Sequence, residues 1–533
     1  MKSIKKKMLA ASLTVAISIP SFASAATLAP DAPVSLRTLG EEAGAVVTWD
    51  QTTHTATLRL DDLTVLITKD SDHMIVNGKS IALPGKAKIV DGRIMVHASA
   101  LHTYLADKKE VKDQLKTATN FIEAMQKEQF DKAVRDFSPA LLKVRSEKQM
   151  KGYWEALPKE LNAGQLKEVG KAVWKNKNAV HTSIEIPLVF EKATVPISIN
   201  LNKQGQINDF MISLMPAAPK IANDPTYSKK DTFTEKEVTV GEGTFALSGT
   251  ITMPKGDGPF PAVVLVQGSG ALDQDETAFA LKPFRDLAHG LASQNIAVLR
   301  YNKRTFEHPA KTMFDRNHTV DKETTDDALL AADLLANTAN IDKNRIYVIG
   351  HSQGGLMLPR ILEKGADKIA GGISLAGPAR TLPDIMLDQF DYLASVGQLP
   401  KDQLEPMKKQ IEYLKDPSFS GENPPEDFNL GLPMFWDSIR SIKAADDAKN
   451  QTTPLLILQG ERDYQVMADP EFKTWKETLA HRSDVTYKLY PKLNHFFTEG
   501  EGAMSKPDEY FMPANIPSYV IDDITNWITK TKK

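Results

Sequence analysis

Arg345-Ile346-Tyr347-Val348-Ile349-Gly350-His351-Ser352-Gln353-Gly354-Gly355 decides the fold. An apolar, β-branched run ends in Gly-His-Ser-Gln-Gly, and a helix-compatible segment, Leu356 to Glu363, follows. In order, this reads as strand, tight turn and helix, with Ser352 at the apex. A serine hydroxyl is a weak nucleophile. It becomes useful only when it projects clear of the backbone, beside a base and near N–H donors. Gly350 and Gly354 permit such a turn, because a Cβ at either position would crowd strand against helix. A serine at a helix start also has oriented N–H groups at hand for an oxyanion. Chance alone produces Gly-x-Ser-x-Gly in roughly one chain in five of this length. The weight therefore rests on the strand before it, the helix after it and the partners downstream.

From Thr232 onward strand and helix patterns alternate. Strands are expected at Thr244–Thr252, Ala262–Val266, Ile296–Tyr301, Arg345–Ile349, Gly372–Ala376, Leu455–Gln459 and Val485–Leu489. Helices are expected at Leu281–Gln294, Asp321–Ala336 and Ile516–Ile528. This alternation predicts an α/β class domain over 232–533, with a mostly parallel sheet covered on both faces. Active groups in such sheets gather at the carboxyl ends of the strands.

A nucleophilic serine needs a base, and the base needs an orienting acid. Leu455-Leu456-Ile457-Leu458-Gln459-Gly460-Glu461-Arg462-Asp463 is a strand ending in a turn that carries a carboxylate, and Asp463 is positioned to accept an imidazole N–H. Glu461 and Asp469 are rival acids. Tyr490-Pro491-Lys492-Leu493-Asn494-His495 follows the next strand and sets His495 on a loop. His351, inside the turn, is expected to pack or hydrogen-bond rather than serve as base. "IGHSQGG", "LQGERDYQV" and "LNHFF", at the ends of successive strands, resemble the α/β-hydrolase superfamily, nearest the dienelactone hydrolase and prolyl-oligopeptidase branch. That resemblance spans Thr232 to Lys533. It implies Ser352 as nucleophile, Asp463 as acid and His495 as general base.

An oxyanion hole needs two N–H donors. Gln353, the residue after the nucleophile, supplies one; Ser269, in Gln267-Gly268-Ser269-Gly270 after the strand Ala262–Val266, is expected to supply the other, with Gly268 and Gly270 behind it. Gln267 stands where the family usually has histidine, and substrate contact is expected there. Where many relatives carry Asp-x-Arg-Gly, this chain reads Asn302-Lys303-Arg304-Thr305, and Arg304 is expected to brace the floor of the site. Between Gly377 and Ala448 (about 378–448) lies an insertion rich in large apolar residues, including Ile385, Met386, Phe390, Met434, Phe435 and Trp436. It is expected to form a lid shaping an acyl pocket, with Met434, Phe435 and Trp436 touching substrate.

Two smaller domains are expected in front. Residues 30–106 read as short alternating strands, with Val76-Asn77-Gly78-Lys79 as a hairpin signal. The succession "wd … tlrl … vNGk … DGRiMVh" resembles the stalk domain named after the N-terminus of copper amine oxidases, which implies a spacer or surface-contact role and no copper. His54, His73, His97 and His102 match no tight ligand spacing. Residues 109–216 open with helical periodicity (Ala118, Phe121, Ile122, Met125) and continue as strands at Ala179–Val189, Thr194–Leu201 and Gln206–Leu214. They resemble a small α+β domain of unknown function found before exported hydrolases. Residues 217–231, with Pro219 and Pro225, read as a linker.

Lys2, Lys5, Lys6 and Lys7, the apolar Met8–Ile19 and Ala23-Ser24-Ala25 form a secretory signal over 1–25, too short to be a transmembrane anchor. The chain has 533 residues, no cysteine and a net charge of −3. Disulfides, thiolate metal sites and cysteine nucleophiles are thereby excluded, and nucleic acid is not an expected partner. The expectation is a secreted or cell-surface serine hydrolase, free of metal and cofactor, cleaving a small-molecule carboxylic ester through an acyl-enzyme, with the front domains contacting the cell wall. A peptidase or amidase, an acyltransferase and an inert surface-binding protein remain the alternatives.

Overall fold

The computed structural model describes residues 33–42, 45–60, 63–90, 92–97, 100–101, 104, 108–212 and 221–531. The expected export signal, His102 and the first part of the expected linker lie outside them. The chain divides into two compact units: 25–138 with 166–208, and 139–165 with 209–533.

Period-2 patterning shapes the first unit. β1 (Pro33–Ser35) pairs antiparallel with β8 (Arg93–His97), which also pairs with β7 (Lys88–Val90). β2 (Val46–Asp50), β3 (Thr55–Leu60), β4 (Leu63–Thr68), β5 (His73–Val76) and β6 (Lys79–Ala82) form an antiparallel meander. Alternate residues Ala56, Leu58, Val65, Ile67 and Met74 turn inward to a shared core. Asn77 and Gly78 take φ of 48° and 82° at the β5–β6 turn, the left-handed pair that a two-residue hairpin requires. The helix Lys108–Gln126 buries Ala118, Phe121, Ile122 and Met125. β9 (Leu166–Val169), β10 (Val173–Lys177), β11 (Thr182–Phe190), β12 (Thr194–Leu201) and β13 (Ile207–Ile212, of which only Ile207 and Asn208 count to this unit) make a second sheet of order β10-β11-β12-β13, with β9 also on β11. β9 and β10, short and without a fully buried residue, were not legible as strands.

The second unit is built on an eight-stranded sheet. Its strands are β14 (Phe233–Val240), β15 (Leu247–Pro254), β16 (Phe260–Val266), β17 (Ala297–Tyr301), β18 (Ile341–His351), β19 (Ile369–Leu375), β20 (Leu455–Gly460) and β21 (Val485–Tyr490). The order is β14-β15-β17-β16-β18-β19-β20-β21. β14 and β15 are antiparallel additions at one edge, and β17 through β21 run parallel. Successive residues of the central strands enter opposite cores. Val263, Leu265, Tyr347 and Ile349 pack against Pro283–Ala292 and Ser518–Lys530, while Val264, Val266, Ile346 and Val348 pack against Asp327–Ala336 and Gln353–Lys364. Each such side chain, fully buried, contributes roughly 1.5–3 kcal/mol. This is the architecture expected for 232–533, with two differences. β14 was missed because Glu235, Lys236 and Glu237 interrupt its apolar positions, and the helix expected from Asp321 opens with a π turn over Asp321–Asp326.

Between β19 and β20 the insertion forms the helices Leu382–Ser395, Lys401–Lys415 and Pro433–Ile439, whose apolar residues Phe390, Ile411, Trp436 and Ile439 join the larger core. Residues upstream of Thr232 also belong to this unit. Arg145 lies over the Phe314 ring at 3.0 Å from its centroid, and the Asp209 carboxylate accepts the Ala310 and Lys311 N–H groups at 2.7 and 3.1 Å.

Candidate active site

Ser352 stands between β18 and the helix Gln353–Lys364 with φ 51° and ψ −116°. A non-glycine residue in that region is strained, and the surrounding packing holds it there. A Cβ on Gly350 would strike the Gly354 carbonyl, and one on Gly354 would strike the Val266 carbonyl. Strand and helix backbones are thus in contact, which leaves the turn no room to relax.

His495 occupies the turn after β21. Asn494 accepts N–H groups from Phe496 and Thr498, both at 3.1 Å, and Phe497 takes a φ of 58°. The imidazole Nδ1 lies 2.8 Å from Asp463 Oδ2. A carboxylate only accepts, so Nδ1 carries a proton, and in the neutral ring Nε2 is the basic nitrogen. Asp463 is fully buried, and its orientation is fixed by Gln465 N at 2.7 Å, Val466 N at 2.9 Å and the Gln459 amide at 3.1 Å. Glu461 and Asp469 are exposed on the same segment and make no contact with the ring.

Ser352, His495, Gln353 and Ser269 line one cavity of about 350 Å³. Phe435 and Trp436 of the insertion line its apolar side together with Leu382, Ile385 and Met386. Two expected substrate contacts are corrected. Gln267 is buried and spends its amide on the Tyr301 carbonyl, so it faces the sheet and not the cavity. Met434 is turned toward Gly421 and does not line the cavity. Arg304 makes a two-point pair with Asp327, at 2.6 and 3.0 Å, which commits it to bracing.

The loop after β16 is held from several sides. Gly268 N–H donates to Glu276 Oε1 at 2.7 Å, which removes it as an oxyanion donor and leaves Ser269 and Gly270, both of which line the cavity. The Gly268 carbonyl accepts from Lys303 Nζ at 2.6 Å. Ser269 Oγ donates to Gln353 Oε1 at 3.0 Å, and Gln353 Nε2 donates to Glu323 Oε1 at 3.2 Å. Glu323 also receives Lys303 and His318, both at 2.7 Å. Burial opposes its charge, but the Lys303 ammonium and the His318 contact outweigh burial and hold its carboxyl far below the usual range.

His351 sits behind the serine. Its Nδ1 is 2.9 Å from Glu276 Oε1, and its Nε2 is 2.9 Å from the His495 carbonyl. Both partners only accept, so both ring nitrogens carry protons. Burial works against this charge, but the Glu276 carboxylate, the His495 carbonyl and Asp463 raise its pKa above the ordinary histidine value. Sequence reasoning missed Lys303, Glu276, Glu323, His318 and the cavity-lining Met211. Lys303 lies in the segment quoted beside Arg304, but its role, like the places of the other four, is revealed only by contacts between distant residues.

Esterase EstD of Thermotoga maritima is 38% identical over 346 residues, covering 64% of this chain and 78% of that one. The chain belongs to the α/β-hydrolase family of esterase EstD. Within this α/β-hydrolase, residues 281–501 match the serine aminopeptidase S33 family, 23–119 the copper amine oxidase N-terminal domain, and 118–210 a protein family of unknown function (DUF3887). Among solved structures, an esterase of Pyrococcus furiosus aligns at 18% identity and TM-score 0.37, covering 60% of this chain and 99% of that one. The dienelactone hydrolase of Anabaena variabilis aligns at 14% and 0.35, covering 57% and 100%. Scores at that level, taken over a chain with additional domains, do not decide a fold; the strand order and the EstD identity do.

Proposed function

We propose that the protein is an exported serine carboxylesterase working through an acyl-enzyme. His495 Nε2 takes the proton of Ser352 Oγ as that oxygen attacks the ester carbonyl. Asp463 keeps the ring in the required tautomer and offsets the imidazolium that forms. The N–H groups of Ser269 and Gln353 hold the oxyanion. The protonated imidazole then gives its proton to the leaving alcohol, and water activated by His495 releases the acid. One observation carries this reading: a strained serine and an Asp463-anchored imidazole line one cavity.

The apolar wall contributed by Phe435, Trp436 and Met386 supports a hydrophobic acyl group, with the insertion acting as a lid. Lys2 to Lys7, Met8–Ile19 and Ala23-Ser24-Ala25 support export. The name of the EstD relative supports ester over amide. The test is a panel of p-nitrophenyl esters of increasing acyl length beside the matching anilides. Ester turnover that falls by about 10³-fold or more in Ser352→Ala, without loss of the fold, is expected. Near wild-type turnover in that variant, or anilides cleaved as fast as esters, contradicts it.

A further inference from the structure

We propose that Lys303 is a positioning residue that sets the orientation of the oxyanion-hole peptide between Gly268 and Ser269. This rests on the reading of Ser269 N–H as an oxyanion donor. The peptide is trans, since the cis bonds are Gly258–Pro259 and Asp469–Pro470. In a trans peptide the carbonyl and the following N–H point in opposite directions. Whatever holds the Gly268 carbonyl therefore aims the Ser269 N–H. Lys303 Nζ holds it, at 2.6 Å. A Gly-Ser-Gly loop has little stiffness of its own, and Gly270 takes a φ of 99°. A flipped peptide would present a carbonyl oxygen to the developing oxyanion and repel it.

Lys303 is 2% exposed and does not line the cavity, so substrate contact does not explain it. A buried ammonium is costly unless it is paired, and an apolar side chain would fill the space at lower cost. Two contacts offset that cost: the Gly268 carbonyl and Glu323 at 2.7 Å. Glu323 receives the Gln353 side-chain amide, and that amide's oxygen receives Ser269 Oγ. The contacts close a ring: Lys303, Gly268–Ser269, Gln353, Glu323 and back to Lys303. Both oxyanion donors thus belong to residues tied into one buried polar network, which resists distortion as a unit.

The test uses the full chain with Lys303→Met, and with the double variant Lys303→Met/Glu323→Gln, which leaves no unpaired buried charge. Each is assayed for kcat and KM on a p-nitrophenyl ester and for inhibition by a phenylboronic acid, whose tetrahedral adduct needs the hole. We expect kcat to fall about 10- to 100-fold with KM within about threefold, and boronate affinity to fall by the same factor as kcat. A folded variant with kcat and boronate affinity within about threefold of wild type overturns the proposal. Failure of both variants to fold overturns it too, by making Lys303 a stability residue. Ser352→Ala separates the two levels. If it is inactive while the Lys303 variants are not, only this proposal falls; if it is as active as wild type, the reading beneath it falls.

Discussion

Around Ser352 the chemistry is set by which atoms can only accept. Asp463 accepts from His495 Nδ1 and so leaves Nε2 as a base, while Glu276 and the His495 carbonyl both accept from His351 and so make it an imidazolium. Two histidines with ring centroids 4.6 Å apart thereby differ in what their partners leave open: in one, Asp463 takes Nδ1 alone, while in the other both nitrogens face acceptors. A stability consequence follows with a definite sign. The folded-state pKa of His351 is raised, so its contribution is fully present below the unfolded value of about 6.5 and is lost as pH rises through the folded pKa. The unfolding midpoint of the wild type is predicted to decline more steeply above about pH 6.5 than that of His351→Gln, measured by thermal scans across that range. Parallel profiles would contradict a charged His351. The sequence placed His351 outside the base role, but Glu276, 75 residues away, could not be read as its partner.

At the scale of elements, the strand–turn–helix around Ser352 was the most legible part of the chain, because steric exclusion allows few ways to expose a serine there. Propensity and packing make opposite forecasts for Gly354. It lies in the first turn of a helix, where Ala is favoured over Gly by about 1 kcal/mol. A Cβ there would strike the Val266 carbonyl, and backbone cannot swing aside as a side chain does. Gly354→Ala is therefore predicted to destabilise by about 2–3 kcal/mol or more and to lose activity, as measured by urea unfolding and ester turnover. A stabilised, active variant would mean that the strand–helix contact is looser than described. The buried parallel strands were legible as apolar runs. β14 was not, because an edge strand needs only one covered face: Lys236 and Glu237 stay exposed, and the Glu235 side chain is buried against Arg300, a partner the local sequence does not show. Gln267 and Met434 were misread because proximity to a site in sequence says nothing about which way a side chain turns; Gln267 turns to a sheet carbonyl and Met434 to Gly421.

Over the whole molecule, the division into compact units does not follow the linker signal alone. Residues 139–165, 209–212 and 221–231 lie in the same unit as the eight-stranded sheet, although the Pro-containing stretch 217–231 reads in sequence as a linker ahead of that sheet. Asp209 shows the physical basis. It is fully buried and caps the N–H groups of Ala310 and Lys311, at the start of the short helix Pro309–Phe314 that borders the cavity. Asp209→Ala is predicted to lower the unfolding free energy by about 1–2 kcal/mol, read from denaturant midpoints. An unchanged midpoint would mean that this cap carries no stability. The catalytic assignment spans the molecule in another sense, since Ser352, Asp463 and His495 come from three loops that only the sheet brings to one end. Labelling the intact protein with a fluorophosphonate probe and mapping the adduct by mass spectrometry tests that assignment most directly. The account predicts one adduct, on Ser352, abolished by Ser352→Ala and strongly slowed by His495→Ala. No labelling where a control serine hydrolase labels, or an adduct on another residue, would contradict it.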